Sequence, residues 1–409
     1  MPAAPGDRMD HDDARDPSYA GAPSIVTAEI VGVPFPERIP PFPNPFRHPL
    51  QALVWLCRLG YRLTAIVMFL AVCSAVPLLN FFALGCLLEA EGRMGRSGRL
   101  RDAFPLWDVA RRALDIGIGV GVFLLGLKLL ASAAADAQLI APGSPTAAFW
   151  LRVPRVAAPL VAVHILLALA RGGTLSCFFR PLKNITWFAG HVWRGTYWAT
   201  ASAAVDSYFR ALNVWPRFWL GVKGFVAGLA WLFIPTALLS VVRDIERPEQ
   251  SIPTLLGGVL LMCVLGWMPF LQAHLAAENR LRAGFALGHV RELQRRAPFA
   301  HLIAVLVTLL LALPLYLLKI KLPPQDALWM LAIVFIASIY PARIVVGWAY
   351  HRALARSRRA WFGWRWLCRG ALIPLLGLFV LLLFFTQWID EHGRATLFEH
   401  HAFLLPIPL

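Results

Sequence analysis

Acidic side chains are scarce in this 409-residue chain, where 23 Asp plus Glu stand against 39 Lys plus Arg. None of those acids falls near the centre of a long apolar run. Cation-coupled carriers place a carboxylate there to exchange protons or sodium, so the scarcity argues against proton-coupled transport and leaves uniport, lipid transfer or a pore open. Lysine is scarcer still: only 128, 183, 223, 319 and 321 are lysines, so the net charge of +16 is arginine charge. The six cysteines (57, 73, 86, 177, 263 and 368) never form C-x-x-C and fall mainly in or beside apolar stretches. They read as small packing residues. Enzyme signatures are missing as well, with no H-E-x-x-H, no G-x-S-x-G and no G-x-x-x-x-G-K-[ST]. The chain start lacks the basic flank and apolar core of a cleavable signal peptide, so insertion is expected to be directed by the spans themselves.

What is abundant is apolar sequence. A hydrophobic content of 58% and a mean hydropathy of +0.61 exceed what a soluble core of this length needs. Apolar runs lie at 63–88, 114–136, 156–170, 218–242, 253–276, 298–318, 327–350 and 370–388. Most approach the roughly 20 residues that cross a bilayer. The run 156–170 is the exception and is expected to be short or to thin the bilayer locally. The fold class is all-α: a polytopic helical membrane protein with seven or eight membrane-embedded helices, arranged as hairpin units with basic amphipathic cytoplasmic connectors. Residues 49–388 form this domain, between a proline-rich, disordered tail (1–48) and a short C-terminal tail (389–409).

The connectors 90–113, 171–217, 277–297 and 351–369 carry six, six, five and six Lys or Arg, against two, two, two and one in the alternating segments. By the positive-inside rule the first set is cytoplasmic and the C-terminus faces out. Topology therefore explains the charge that would otherwise suggest nucleic acid, and no nucleic-acid partner is expected. Pro77, Asn80 and Gly85 can break 63–88 into a re-entrant hairpin, which would keep the N-terminus cytoplasmic. A repeated design is also visible, since Pro269 precedes Arg280 and Pro341 precedes Arg352 by the same eleven residues, with a looser copy from Pro77 to Arg93. It suggests a unit of apolar helix, basic surface helix and returning helix.

Ionisable residues inside the runs are few, and such residues are functional candidates by default. Lys128, Lys223 and Arg343 lie off the span centres, so their stems can also snorkel to the headgroups. His164 has the plainer reading of a satisfied packing histidine. Between 175 and 219 aromatic residues alternate with cations, including Trp187, Trp193 and Arg194; a second such patch, 358–369, holds Arg358, Arg359 and Trp364. This is the composition of a membrane interface: either a lipid-headgroup platform or an amphipathic anchor. Glu89, Glu91, Asp108 and Glu278 would matter if two of them converged beside a headgroup pocket.

Gly117 with Gly121, and Gly221, Gly224 and Gly228, mark helix faces suited to close approach. Asn184-Ile185-Thr186 matches a glycosylation sequon but lies in a connector read as cytoplasmic. His11 and Asp16 share an acyltransferase spacing, though in a tail with no fold to position them. Glu391, His392, Glu399, His400 and His401 are metal-ligating types, yet a polar tail is the simpler reading. No catalytic residue, metal or cofactor is expected.

Pro77, Leu78, Leu79 and Asn80, then Gly85, the basic run Arg93 to Arg101, the turn Phe104-Pro105-Leu106-Trp107-Asp108 and the Asp115-Ile116-Gly117 that opens a span resemble a family of prokaryotic polytopic membrane proteins known as a domain of unknown function. The resemblance covers about residues 70–130, with Phe104 where the family pattern has leucine. It implies a bacterial-type inner membrane protein and carries no activity. The expected function is that of a non-enzymatic membrane scaffold or complex subunit engaging anionic lipids and a protein partner. A permease or lipid carrier with a midplane cavity and a membrane enzyme acting on lipid-linked substrates are the rivals.

Overall fold

The computed structural model describes residues 42–241, 251–320, 328–389 and 393–399. The readings placed on residues 1–41 and on the C-terminal Glu and His cluster lie outside the described residues, apart from the backbone of Glu399. Within them the regular elements are helices, and no strand occurs. In chain order they are α1 (Pro49–Ala75), α2 (Leu79–Ser97), α3 (Trp107–Ile140), α4 (Pro145–Ala170), α5 (Leu175–Phe178), α6 (Pro181–Trp193) and α7 (Tyr197–Leu212). The series continues with α8 (Val214–Leu239), α9 (Ser251–Glu278), α10 (Leu287–Arg296), α11 (Pro298–Ile320), α12 (Leu328–Leu354), α13 (Phe362–Phe385) and α14 (Ala395–Glu399). Among the described residues, eight helical segments are long and apolar enough to cross a membrane. The fold is an all-α polytopic membrane protein.

Local chemistry sets the boundaries. Proline, whose missing N–H is no loss in a first turn, opens α1, α4 and α6. Ser144 caps α4 by accepting the Ala147 N–H at 3.1 Å. Gly98, at φ +66°, closes α2 with its N–H on the Met94 carbonyl. Asn213 takes the same left-handed conformation at φ +44°, and there the chain turns from α7 into α8.

Three expectations are corrected. The run 63–88 is neither one span nor a pair of short half-helices. A full span, α1, ends at Ala75, and after Pro77 and a left-handed Leu78 (φ +68°) a second helix, α2, runs on to Ser97. Helix α2 carries Glu89, Glu91, Arg93 and Arg96 and is not among the apolar spans. The run 156–170 is not short, because helical geometry continues N-terminally of it through Arg155, Pro154 and Arg152 to give the 26 residues of α4. The connectors also differ from one another. Helices α6 and α10 lie between candidate spans and α7 runs into the span that α8 continues, whereas 90–97 belongs to buried α2, and only the short segment 355–361 separates α12 from α13. The proposed repeat thus has its basic helix after α9 but none after α12.

Helix α2 is the pillar of the packed region. One side of it meets the first turns of α8, and others meet the last turns of α9 and α12. Its small residues let backbones touch. A Cβ on Gly85 would strike the Arg217 carbonyl, and one on Gly221 would strike the Phe81 carbonyl. A Cβ on Gly92 would lie 2.5 Å from the Ala276 carbonyl, and one on Gly347 would lie 2.5 Å from that of Glu91. Lipid is as apolar as leucine, so helix association in a bilayer depends on such close packing and on polar contacts rather than on apolar burial alone. The expected close approach at Gly221 and Gly224 is present. At Gly117 and Gly121 it is not: both face open space, and it is Gly119 that receives the Phe178 ring.

Candidate functional site

Charged side chains meet inside the packed region. Glu91 on α2 is fully buried, with Arg343 of α12 and Gln272 of α9 at 2% and 1% exposure. Arg343 Nη1 donates to Glu91 Oε2 at 2.9 Å and also to Gln272 Oε1. Two residues before Glu91, and so on another side of α2, Glu89 accepts from Arg93 Nη2 at 2.5 Å and from the buried Arg217 Nε of α8. Arg217 also donates to the Leu212 carbonyl at the end of α7. Removing such charges from water costs several kcal/mol per ion, by order of magnitude, and is offset only where each group meets an opposite charge and further hydrogen bonds. Glu89 meets that condition through two arginines, whereas Glu91 meets Arg343 through Oε2 alone and keeps a buried Oε1 with no hydrogen-bond partner among the described residues.

Helix ends take the remaining cations nearby. Arg96 donates to the Ala276 and Ala277 carbonyls at 3.2 and 2.8 Å, in the last turn of α9. Lys223 donates to the Asn279 carbonyl and Oδ1 at 3.0 and 3.1 Å, just past the same helix end. A cation there satisfies carbonyls left without helical partners and complements the negative end of the helix dipole. The cluster is a charged lock joining α2, α8, α9 and α12. Each of its carboxylates is ion-paired with an arginine.

The residues singled out in the sequence fall in separate places. Arg343 does not snorkel; it is the interior partner of Glu91, because the protein supplies the counter-charge that the lipid cannot. Lys223 is a helix cap. Lys128 lies on the exposed face of α3, beside Leu124, Leu125 and Leu129. His164 has the packing role expected, with Nε2 2.8 Å from the Phe178 carbonyl and its ring against Phe123. Asn184 of the sequon is buried, accepting from Arg171 at 2.9 Å and donating to the Cys177 carbonyl at 2.8 Å. That residue is structural. Four of the six cysteines are buried, whereas Cys57 and Cys263 are exposed.

Trp187, Trp193 and Arg194 belong to a helix pair, α6 and α7, with an outward apolar face. Trp193 is 94% exposed and Trp198 80%, flanked by exposed Leu182, Ile185 and Phe209 and by the exposed cations Lys183, Arg194 and Arg210. Trp187 stacks on His191 at 4.4 Å, and Tyr197 closes over Trp187 and Phe188 at the turn between the helices. Arg358 and Trp364 are also exposed. Arg359 instead grips Glu292 of α10, with Nε at 2.9 and 3.1 Å from the two carboxylate oxygens. Hydrogen bonding from Arg359, with Arg296 beside it, holds the Glu292 carboxyl below the usual carboxylate range.

Sequence reading missed Glu91, Gln272 and Arg217 as interior residues. A signal was present: Gly85, Gly92 and Gly95 recur along one segment, and small residues at such intervals mark a helix that other backbones approach closely. Among the described residues no group of three His, Cys, Asp or Glu is placed to hold a metal ion. No family model matches the chain, and neither the curated proteins nor the solved structures yield a match.

Proposed function

We propose that this integral membrane protein is a non-enzymatic scaffold or complex subunit whose arginine-rich, aromatic face engages anionic lipids. The observation that carries the reading is the α6–α7 pair, where fully presented tryptophans stand beside arginines and a lysine on one exposed surface. Amphipathic aromatics and long-stemmed cations together suit the headgroup layer, and anionic leaflets attract the cations. The density of cations in 90–113, 171–217, 277–297 and 351–369 supports a cytoplasmic position for this face, a cytoplasmic N-terminus and an exoplasmic C-terminus. The resemblance around residues 70–130 supports a bacterial-type inner membrane.

The rival permease reading needs a polar route near Lys128, Lys223 or Arg343, and it is weakened because Arg343 and Lys223 are engaged while Lys128 points outward. The lipid-enzyme reading needs two carboxylates converging beside a headgroup pocket; Glu89 and Glu91 are paired with arginines, and neither Asp108, 4.0 Å from Arg62, nor the exposed Glu278 lines the groove among α9, α10, α11 and α13.

Native mass spectra of the protein released from its own membranes in mild detergent test the proposal. A stoichiometric protein partner, or retained anionic lipid, is the expected result. A lone chain carrying one defined metabolite, lost on replacing Lys128 or Lys223, would overturn it in favour of a carrier.

A further inference from the structure

A groove of about 340 Å³ lies among α9, α10, α11 and α13, and its lining is divided by chemistry. One part presents Arg291 and Arg295 from α10 and Arg365 and Arg369 from α13. Each pair is spaced four residues apart, so each forms a row on one helix face, and both rows line the groove. The other part is apolar, with Met262 of α9 and Leu372, Ile373 and Leu376 of α13. Among the described residues no carboxylate lines it. The acid nearest in sequence, Glu292, is engaged by Arg359 at 2.9 Å and, at longer range, by Arg295 and Arg296. Arg291 lies over the Trp267 ring at 5.9 Å, which orients its guanidinium. Arg365 Nε is buried and has no hydrogen-bond partner among the described residues.

The groove floor is itself a built feature. Pro269 lacks the N–H that would bind the Leu265 carbonyl, which loosens α9 at this level. The neighbouring Gly266 carbonyl is held from outside, by Gln294 Nε2 at 3.0 Å and His301 Nε2 at 2.9 Å. These contacts seat α10 and α11 against α9 and bring the arginines of α10 opposite those of α13.

We propose that this groove binds the phosphate headgroup of an anionic lipid, with the acyl chains along Met262, Leu372 and Leu376. Four guanidiniums without a lining carboxylate match a phosphate, which arginine recognises through paired N–H donors. The adjoining apolar strip, continuous with the apolar halves of α9 and α13, has no use for a soluble anion and fits acyl chains. The volume lies within the range of small-molecule sites. This inference rests on the reading that the protein engages anionic lipid, but it assigns a defined site on helices other than α6 and α7.

The test is native mass spectrometry of the full-length protein in non-ionic detergent, titrated with phosphatidylglycerol or with phosphatidylcholine of the same chains. Wild type should hold one phosphatidylglycerol about tenfold or more tighter than phosphatidylcholine, and Arg365→Gln with Arg369→Gln should abolish that preference. The corresponding lysine pair, which keeps both charges, should retain most of it and shows that the glutamine pair has not simply misfolded. Trp193→Ala with Trp198→Ala should leave this site intact.

Phosphatidylglycerol binding unchanged in the glutamine pair, or lost equally in both pairs, would overturn the groove assignment. So would displacement of the lipid by millimolar inorganic phosphate, which would mark a site for soluble anions. No anionic preference in wild type would remove the general reading as well, whereas a preference that survives the groove variants would remove only the groove.

Discussion

Helices α3, α9 and α12 have the same mean hydropathy over their most apolar windows, 2.0, yet 6% of that window is buried in α3 against 50% in α9 and 61% in α12. Apolar character therefore says that a helix belongs in a bilayer and says nothing about whether lipid or protein surrounds it. The difference lies in small and polar residues. Helices α9 and α12 present Ala276 and Gly347 to the glycine-bearing α2 and contribute Gln272 and Arg343 to the buried charge cluster. Helix α3 has glycines too, but Gly117, Gly121 and Gly126 face open space. Glycine is a contact residue only where another segment arrives, as the Phe178 ring does at Gly119.

The largest expected effect is at the charge cluster. Arg343→Met leaves Glu91 buried without its counter-charge and should destabilise the protein by about 3–5 kcal/mol, whereas adding Glu91→Leu should restore most of that loss. Thermal unfolding in detergent checks the cycle; a double variant as unstable as the single one would mean that the ion pair does not hold the centre together. Next come the glycines. Gly221→Ala forces a methyl into the Phe81 carbonyl and should cost about 1–3 kcal/mol, while Gly117→Ala on α3 should change stability by less than about 0.5 kcal/mol. Equal losses at the two sites would erase the contrast between packed and lipid-facing helices.

Smaller effects belong to the periphery. Trp193→Ala with Trp198→Ala should leave the unfolding temperature within error and reduce fluorescence quenching by brominated phosphatidylglycerol in reconstituted vesicles. Undiminished quenching would detach α6 and α7 from the headgroup layer.

The smallest effect is a pH dependence at Glu292. Arg359 and Arg296 hold its carboxyl below the value it has in an unfolded chain, so its contribution is complete above the ordinary carboxylate range and is lost as pH falls through the lowered folded value. The stability difference between wild type and Glu292→Gln should therefore shrink on acidification from neutral pH to about pH 3. A difference that does not change with pH would assign the effect to packing.

Of the architecture, eight apolar spans were legible from hydropathy, and seven of them lie close to their expected positions. The first was misplaced. Residues 49–62 include Arg58 and Arg62 and look like a connector, while Glu89 to Arg96 look like the start of a basic surface segment. In the structure the first set lies in a full span and the second in the most enclosed helix. Arg62 lies over the Trp107 ring at 5.2 Å, and Glu89 and Glu91 each meet an arginine from a helix more than a hundred residues away. A window average treats every charge as a cost, whereas a charge with a partner is a contact, and the partner is invisible at that separation.

The exposed aromatics and cations of α6 and α7 were legible for the opposite reason. Its residues face outward and keep the chemistry they have as isolated side chains, so composition alone describes α6 and α7. The arginine groove was only half visible: 351–369 read as a basic patch, but its pairing with Arg291 and Arg295 depends on how α10 docks on α9.

By itself the sequence determined that this is a helical membrane protein, that it has seven or eight apolar stretches long enough to be spans, and where cations and aromatics concentrate, because these properties follow from local composition summed over a helix. The tertiary structure alone decided that α2 lies inside rather than on the surface, that Arg343 has a carboxylate instead of a headgroup as its partner, and that four arginines share one groove. Each of those depends on side chains distant in sequence meeting in space, where desolvation and pairing, rather than hydropathy, set the outcome.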